Sequence, residues 1–479
     1  MSQRRLPPAW LAWAAFAAIL APSPSVATTP SQPVQSPAEI AAARGQDALD
    51  HGKDLDAERA YDEALKLTPG VADYLGARGA ARRRLGEFDA AIQDLTQAIT
   101  ADPTKVDYRI ERGLTFEKTG DRAKARADFD AAIALDPKND TAFYDRGLLS
   151  QVENDDTKAI ADFNQALEIS PKDADTLTAR GGSLDNLKRY DEALADYEAA
   201  LKIDPRSYNA LRDRASLYID KQDWSVAGLY FDAALIIYPN DGPLHSERGF
   251  VWRKLGDDAH ARSEYDRAVS LAPNDVDILF DRAGMEVDQT RLDAAIADFL
   301  RVEKLNPDED GVYRALGDAY AQNKDDQRAL EQYELGLKRT PDDTGLLVAR
   351  GLLHWRANQY DQAIADYDHS LVIDPKDGPA LYDRALALDA QDHDERAIRD
   401  LDAALTLAPD DEASMEERGE IYLKLEDFMR AVGDLTAALK LDPNDALAHR
   451  KRAEALRSLG DDAGAAVDDA AATKLTAKS

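Results

Sequence analysis

Arginine returns along this chain at a fixed interval, at Arg44, Arg78, Arg112, Arg146, Arg180, Arg214, Arg248, Arg282, Arg350, Arg384, Arg418 and Arg452. In ten of these twelve places an acidic residue follows sixteen positions later, as in Arg78/Asp94, Arg112/Asp128, Arg146/Asp162 and Arg248/Glu264. Where the arginine is missing, at Leu316, the acid is missing too and Gln332 stands in its place. A guanidinium and a carboxylate make a strong, two-pronged hydrogen-bonded pair. The pattern predicts a buried or half-buried ion pair inside most repeats. Its main work is to fix register, because breaking one partner costs more than the pair contributes.

Other chemistry is poorly provided for. The seven histidines, His51, His245, His260, His354, His369, His393 and His449, are scattered, with no HExxH pair and no glycine-rich phosphate loop. Cysteine is absent, which excludes disulfides, thiolate nucleophiles and cysteine-based metal centres. Carboxylates are so abundant that any two can be paired on paper, and solvated helix faces account for them. With 91 acidic against 59 basic residues the net charge is −32, a surface that repels nucleic-acid phosphates and anionic lipid. The expectation is a binding protein rather than an enzyme, with no catalytic residues, cofactor or metal, and no nucleic-acid partner.

The elements that position these residues follow from a second regularity. Prolines stand at 69, 103, 137, 171, 205, 239, 273, 307, 341, 375, 409 and 443, always 34 apart. Counting each proline as position 32, position 20 is Ala in all thirteen units and position 8 is Gly or Ala, as at Gly45, Gly79 and Ala215. Position 24 is aromatic or Leu in the first twelve, for example Tyr61, Phe129 and Phe163. Small residues at 8 and 20 let two antiparallel helices approach, and the large residue at 24 fills the space beside them. Proline ends the second helix. Asn139, Asp173, Ser207, Asp241, Asp275, Asp343, Asp377, Asp411 and Asp445 are placed to cap the next one. In the last unit Asp468 and Asp469 occupy positions 23 and 24, a polar finish expected to cap the stack.

The first 27 residues differ in kind. Arg4 and Arg5 precede an apolar run, Ala9 to Leu20, that is too short to span a bilayer comfortably, and small residues end in Ser25-Val26-Ala27. This is the pattern of a secretory signal with cleavage after Ala27, implying a periplasmic or secreted protein without a stable membrane span after cleavage. Residues 28–37 read as a Pro/Ser/Thr-rich linker and 38–479 as the repeat array.

Small residues at positions 8, 20 and 27, an aromatic at 24 and Pro at 32 of a 34-residue period resemble the tetratricopeptide repeat. The resemblance implies an all-α, right-handed superhelical solenoid of about thirteen helix-turn-helix units, with a concave groove that holds protein or peptide ligands. By the same resemblance, positions 2, 5, 9, 12 and 13 of the first helix face that groove. They pick out Ile110, Leu114, Tyr144, Leu148 and Val152 in units 3 and 4, and Val348, Leu352, Trp355, Tyr382 and Leu386 in units 10 and 11. A basic band at positions 12 and 13, including Arg83, Arg84, Arg253 and Lys254, is the candidate receiver of an acidic ligand. Trp224 and Trp252 read as packing residues. The Lys and Asn residues with which co-chaperones of this family clamp heat-shock protein termini are absent, since positions 6 and 9 never carry Asn. The implied function is an exported scaffold for protein–protein interaction. A peptide-holding chaperone or adaptor, or an accessory subunit of polysaccharide export or envelope assembly, are the alternatives.

Overall fold

The computed structural model describes residues 35–309 and 311–476. The proposed signal segment, and all of the linker but its last three residues, lie outside them. Contacts divide the chain into two compact units, Met1–Pro205 and Arg206–Ser479.

The first unit holds α1 (Pro37–Asp50), α2 (Asp54–Leu67), α3 (Ala72–Leu85), α4 (Phe88–Ala101), α5 (Val106–Lys118), α6 (Arg122–Leu135), α7 (Asp140–Val152), α8 (Asp156–Ile169), α9 (Ala174–Asn186) and α10 (Tyr190–Ile203). The second holds α11 (Tyr208–Asp220), α12 (Trp224–Ile237), α13 (Gly242–Lys254), α14 (Asp258–Leu271), α15 (Val276–Asp288), α16 (Leu292–Leu305), α17 (Val312–Gln322), α18 (Asp326–Arg339), α19 (Thr344–Arg356), α20 (Tyr360–Ile373), α21 (Gly378–Asp389), α22 (Asp394–Leu407), α23 (Glu412–Lys424), α24 (Phe428–Leu441), α25 (Ala446–Ser458) and α26 (Asp462–Thr476). Among the described residues there is no strand, and no helix is long and apolar enough to cross a membrane. Odd-numbered helices are the first of each pair and even-numbered ones the second.

Each second helix from α2 to α24 stops two residues before its proline, because the imide nitrogen cannot donate and its ring excludes the preceding residue from helical backbone. Eight of the nine predicted caps accept a hydrogen bond from the next helix's first turn, as Asn139 does from the Ala142 N–H at 2.8 Å. Asp411 is the exception: its carboxylate takes the Ser414 hydroxyl instead. The first helix starts at Pro37, inside the stretch read as linker, because Ser36 and Glu39 form a reciprocal capping box.

The position-20 alanines are all buried. At Gly147 an added Cβ would stand 2.5 Å from the Phe163 ring, and at Gly45 2.7 Å from Tyr61, so glycine is what lets the ring lie against the first helix. Between the two helices of every pair one residue adopts left-handed backbone. Five of these are glycine, but Asn154, Lys188, Gln222, Thr290, Lys324, Asn358, Asp392 and Glu426 adopt it as well, at φ between 56° and 61°. The sequence pattern does not mark these positions.

Nine of the ten predicted ion pairs form with both prongs engaged. In the fourth helix pair, Arg146 Nε and Nη2 donate to Asp162 at 2.9 and 2.6 Å, and Arg78 with Asp94 and Arg282 with Asp298 repeat the geometry. All of these carboxylates but the half-buried Asp434 are buried, Asp94 to 2 % exposure. The structure adds a contact that the sequence reading lacks. The remaining nitrogen, Nη1, reaches back to the preceding pair: Arg78 to Asp62 (2.9 Å), Arg146 to Asp130 (2.6 Å), Arg282 to Asp266 (2.9 Å) and Arg384 to Asp368 (2.7 Å). Eight of the nine guanidinium groups, all but Arg350, therefore join two helices of their own pair and fasten that pair to the one before.

Arg248/Glu264 corrects the prediction. Arg248 turns to Asp232 (Nε to Oδ1, 2.8 Å) and lies over the Trp252 ring at 4.1 Å, while Glu264 is bound by His245 Nδ1 at 2.6 Å. Trp252 holds its cation closer than Phe116 holds Arg112, at 5.8 Å, and His245 supplies Glu264 with another partner. Arg214, opposite Tyr230 instead of an acid, stacks on that ring at 4.2 Å. Arg44 pairs with Glu63 at 2.6 Å on the surface.

Candidate binding face

Within each unit, first helices touch not only their own partners but the first helix of the next pair, α1 with α3, α3 with α5, α5 with α7 and α7 with α9. The same contact recurs between α13 and α15 and along α17, α19, α21, α23 and α25. First helices thus form closely spaced rows, and their outward positions make a continuous face from α1 to α9 and another from α17 to α25.

In the first unit this face opens into a groove of about 650 Å³ across α1, α3 and α5. Its floor is small, made of Ala42, Ala43, Gly76, Ala77 and Ala80. Its walls are tyrosines. Tyr108 packs where a Cβ on Gly76 would otherwise stand, and its hydroxyl donates to Asp73 at 2.6 Å. Tyr61 reaches Gln46 at 3.2 Å and lies 6.3 Å from the Tyr74 ring. Burial, with Asp50 and its acidic neighbours adding, pushes the Tyr61 hydroxyl up to about 12. A floor without side chains brings a ligand backbone close to the helices, and tyrosines offer both apolar area and a polar tip. The sequence reading sought large apolar residues and passed over this groove. Its signal was the small residues at positions 5 and 6 of the first two units and at position 9 of the second.

The predicted contact residues divide into three groups. Ile110 is buried in a core cluster with Ala132 and Ala142, so it is a packing residue and not a contact. The neighbouring helix pair covers position 5 at that point. Tyr144, Leu148, Leu114, Val348, Leu352, Tyr382 and Leu386 are half-buried, and Val152 is exposed. Trp355 and Tyr382 come together against the cluster around Ala385 and Leu388, with the Trp355 indole N–H enclosed and without a hydrogen bond. Leu352 faces a smaller cleft of about 210 Å³ shared with Asp318, Tyr333 and Arg356. A further cleft of 400 Å³, around Tyr313, Gly336 and Leu346, sits at the turn before α17 and away from the Trp355 face.

Several cations of the basic band are already engaged. Arg83 Nε donates to Glu111 at 2.7 Å, Arg253 to Asp288 at 2.7 Å, and Lys424 lies among Asp389, Asp392 and Asp394. Arg84 stays exposed, 3.4 Å from Asp54, and Lys254 lies over the rings of Phe250 and Trp224. Arg83, Arg253 and Lys424 are thus engaged by neighbouring acids on a chain with an acidic excess. Trp224 and Trp252 pack, against Phe250 and His260 respectively, as expected.

What remains along the face is acidic. Position 6 carries Glu111, Asp145, Asp213, Glu247, Asp281, Asp383 and Glu417. Burial pushes Asp213 and Asp383 up to about 6 and Glu417 up to about 7. Glu412, Glu416 and Asp445 also bring carboxylate oxygens within 4.8 Å of one another, but Asp445 is already occupied as the cap of α25.

Paired antiparallel helices in fixed register, with one face of first helices left open, define a helical-repeat binding protein. The tetratricopeptide repeat family model matches residues 42–105, 110–174, 178–242, 253–310, 286–344, 348–412 and 417–478, and the chain belongs to that family. Solved structures similar to it include the APC/C hetero-tetramer Cut9–Hcn1, at 15% identity and a TM-score of 0.43, covering 88% of this chain and 97% of that one. A tetratricopeptide repeat protein from Parabacteroides merdae is 18% identical, with a TM-score of 0.40 and coverage of 59% and 98%. YrrB, described as a TPR protein with an unusual peptide-binding site, is 26% identical, with a TM-score of 0.32 and coverage of 39% and 97%. No curated protein matches the chain.

Proposed function

We propose that this chain is an exported scaffold that holds a protein partner by an extended segment laid along the first-helix face. The observation that carries the reading is the 650 Å³ groove over α1, α3 and α5, with its alanine and glycine floor between tyrosine walls. A groove of this size lies within the range of ordinary ligand sites. Export rests on Arg4, Arg5, the apolar run Ala9 to Leu20 and the small residues before Thr28. The half-buried Trp355 and Tyr382 offer a second contact place on the same kind of face.

A photo-crosslinking residue placed at Ala77 in the full chain, expressed in its own cells, tests the reading. A discrete partner band in the envelope fraction is expected, and it should disappear when Ala80→Trp fills the floor while helicity by circular dichroism is unchanged. Partner bands that persist in the filled variant sink the groove as the place of contact. A smear of many unrelated clients in place of a discrete band favours the chaperone alternative.

A further inference from the structure

We propose that the first-helix face of α3, α5 and α7 selects its peptide by a basic side chain, taken up by Asp145 together with Glu117 and Glu111. The inference rests on the groove reading above and adds the charge of the ligand.

Asp145 is 6 % exposed, and among the described residues it makes no hydrogen bond; its Oδ2 is fully enclosed. A buried carboxylate without a donor is costly, and native structures supply such groups with a partner. The charged groups that act on it come from two neighbouring first helices: Glu111 and Glu117 on α5, and Arg83 on α3. Arg83, the only cation of the set, already donates to Glu111 at 2.7 Å. The site therefore holds three carboxylates and one guanidinium that is spent. Burial, with Glu117 and Glu111 adding to it, pushes Asp145 up to about 7, and burial raises Glu117 as well. A primary ammonium or guanidinium would supply the missing donors and relieve the repulsion in one step.

The groove shares Glu111 with this place. Glu111 lines it, beside Asp73 and Asp107, and the one cation in its lining, Lys105, lies 3.7 Å from Asp73. A peptide backbone lying on Ala42, Ala43, Gly76, Ala77 and Ala80 thus meets an acidic wall along α5 that includes Glu111, one of the carboxylates acting on Asp145 of α7. The complementary occupant is an extended segment with lysine or arginine. An acidic terminus, the ligand expected from the basic band, is repelled.

Fluorescence polarisation with the full mature chain tests the inference. The probes are capped, labelled seven-residue alanine peptides with lysine, norleucine or glutamate at the centre. At pH 8 and low salt the lysine peptide should bind about tenfold more tightly than the norleucine peptide, the size of one well-placed charged hydrogen bond. The preference should shrink at pH 6, where Asp145 takes up a proton. Asp145→Asn and, separately, Glu117→Gln should reduce it to about twofold or less and leave the norleucine peptide unaffected, since neither substitution touches the floor. Equal binding of lysine and norleucine peptides, or a preference that survives both variants, overturns the charge selection and leaves the groove standing. Binding of none of the three overturns the groove reading itself. Calcium binding that Asp145→Asn abolishes, with no peptide preference, assigns the carboxylates to a metal and also overturns the proposal.

Discussion

In α7–α8 a guanidinium stands where α17–α18 has a leucine. Arg146 is held by two oxygens of Asp162 and one of Asp130, so the crossing of the helices is a polar node. Leu316 is wholly buried, in a cluster that runs without interruption from Ala268 on α14 to Leu353 on α19. Gln332, in the acid's place, has its Oε1 enclosed without a partner, and the tyrosine beside it, Tyr333, donates to Asp318 at 2.6 Å. Both pairs keep the same helix lengths to within three residues and the same 34-residue spacing. The ion pair is therefore one of two ways to fill a crossing. Geometry distinguishes them: a bidentate pair accepts one alignment of the helices, whereas apolar side chains accept several.

The largest expected difference comes from deleting the acid alone. Asp162→Ala leaves Arg146 half-paired in a buried place, and the cost should be about 3 kcal/mol or more. Gln332→Ala removes a group that is already unsatisfied and should cost under about 1 kcal/mol. Hydrogen exchange of the α7–α8 and α17–α18 amides reads both, since local stability in a repeat array is not one global number. Equal losses in the two pairs would break the comparison.

An exchange of chemistry sharpens it. Leu316→Arg alone should destabilise the ninth pair by roughly 3 kcal/mol, because it buries an unpaired charge. Adding Gln332→Asp should recover about half of that. Recovery should stay incomplete, because Leu300 stands where Asp130 and its equivalents supply the third oxygen. Full recovery in a denaturant midpoint would mean that the reach to the preceding pair is dispensable.

The smallest effect concerns the turns. Thr290 adopts left-handed backbone at φ 56°, a conformation that a β-branched residue resists. Thr290→Gly should stabilise the α15–α16 pair by about 1 kcal/mol. Asn358→Gly should give only a few tenths, because asparagine tolerates that region. The exchange protection of α15–α16 and α19–α20 separates the two outcomes.

Much of this molecule is legible in its residues. The prolines fix where second helices end, the alanines fix where helices cross, and nine of the ten ion pairs that the arginine–acid interval predicts form, because each of these depends on neighbours within one repeat. The misses share a cause as well. Ile110 is covered by the next helix pair, Arg83 and Arg253 are neutralised by acids on the following first helix, and Arg248 leaves Glu264 for Asp232 on the preceding pair. Each depends on which side chains meet between repeats. The 34-residue spacing alone determined the helices, their order and their crossings, because those follow from short-range backbone and packing rules. Only the tertiary structure decided which charges are spent and which stay unpartnered, because that balance is struck between helices far apart in sequence. It brought forward, as a candidate contact, a groove of alanines and glycine walled by tyrosines and Glu111.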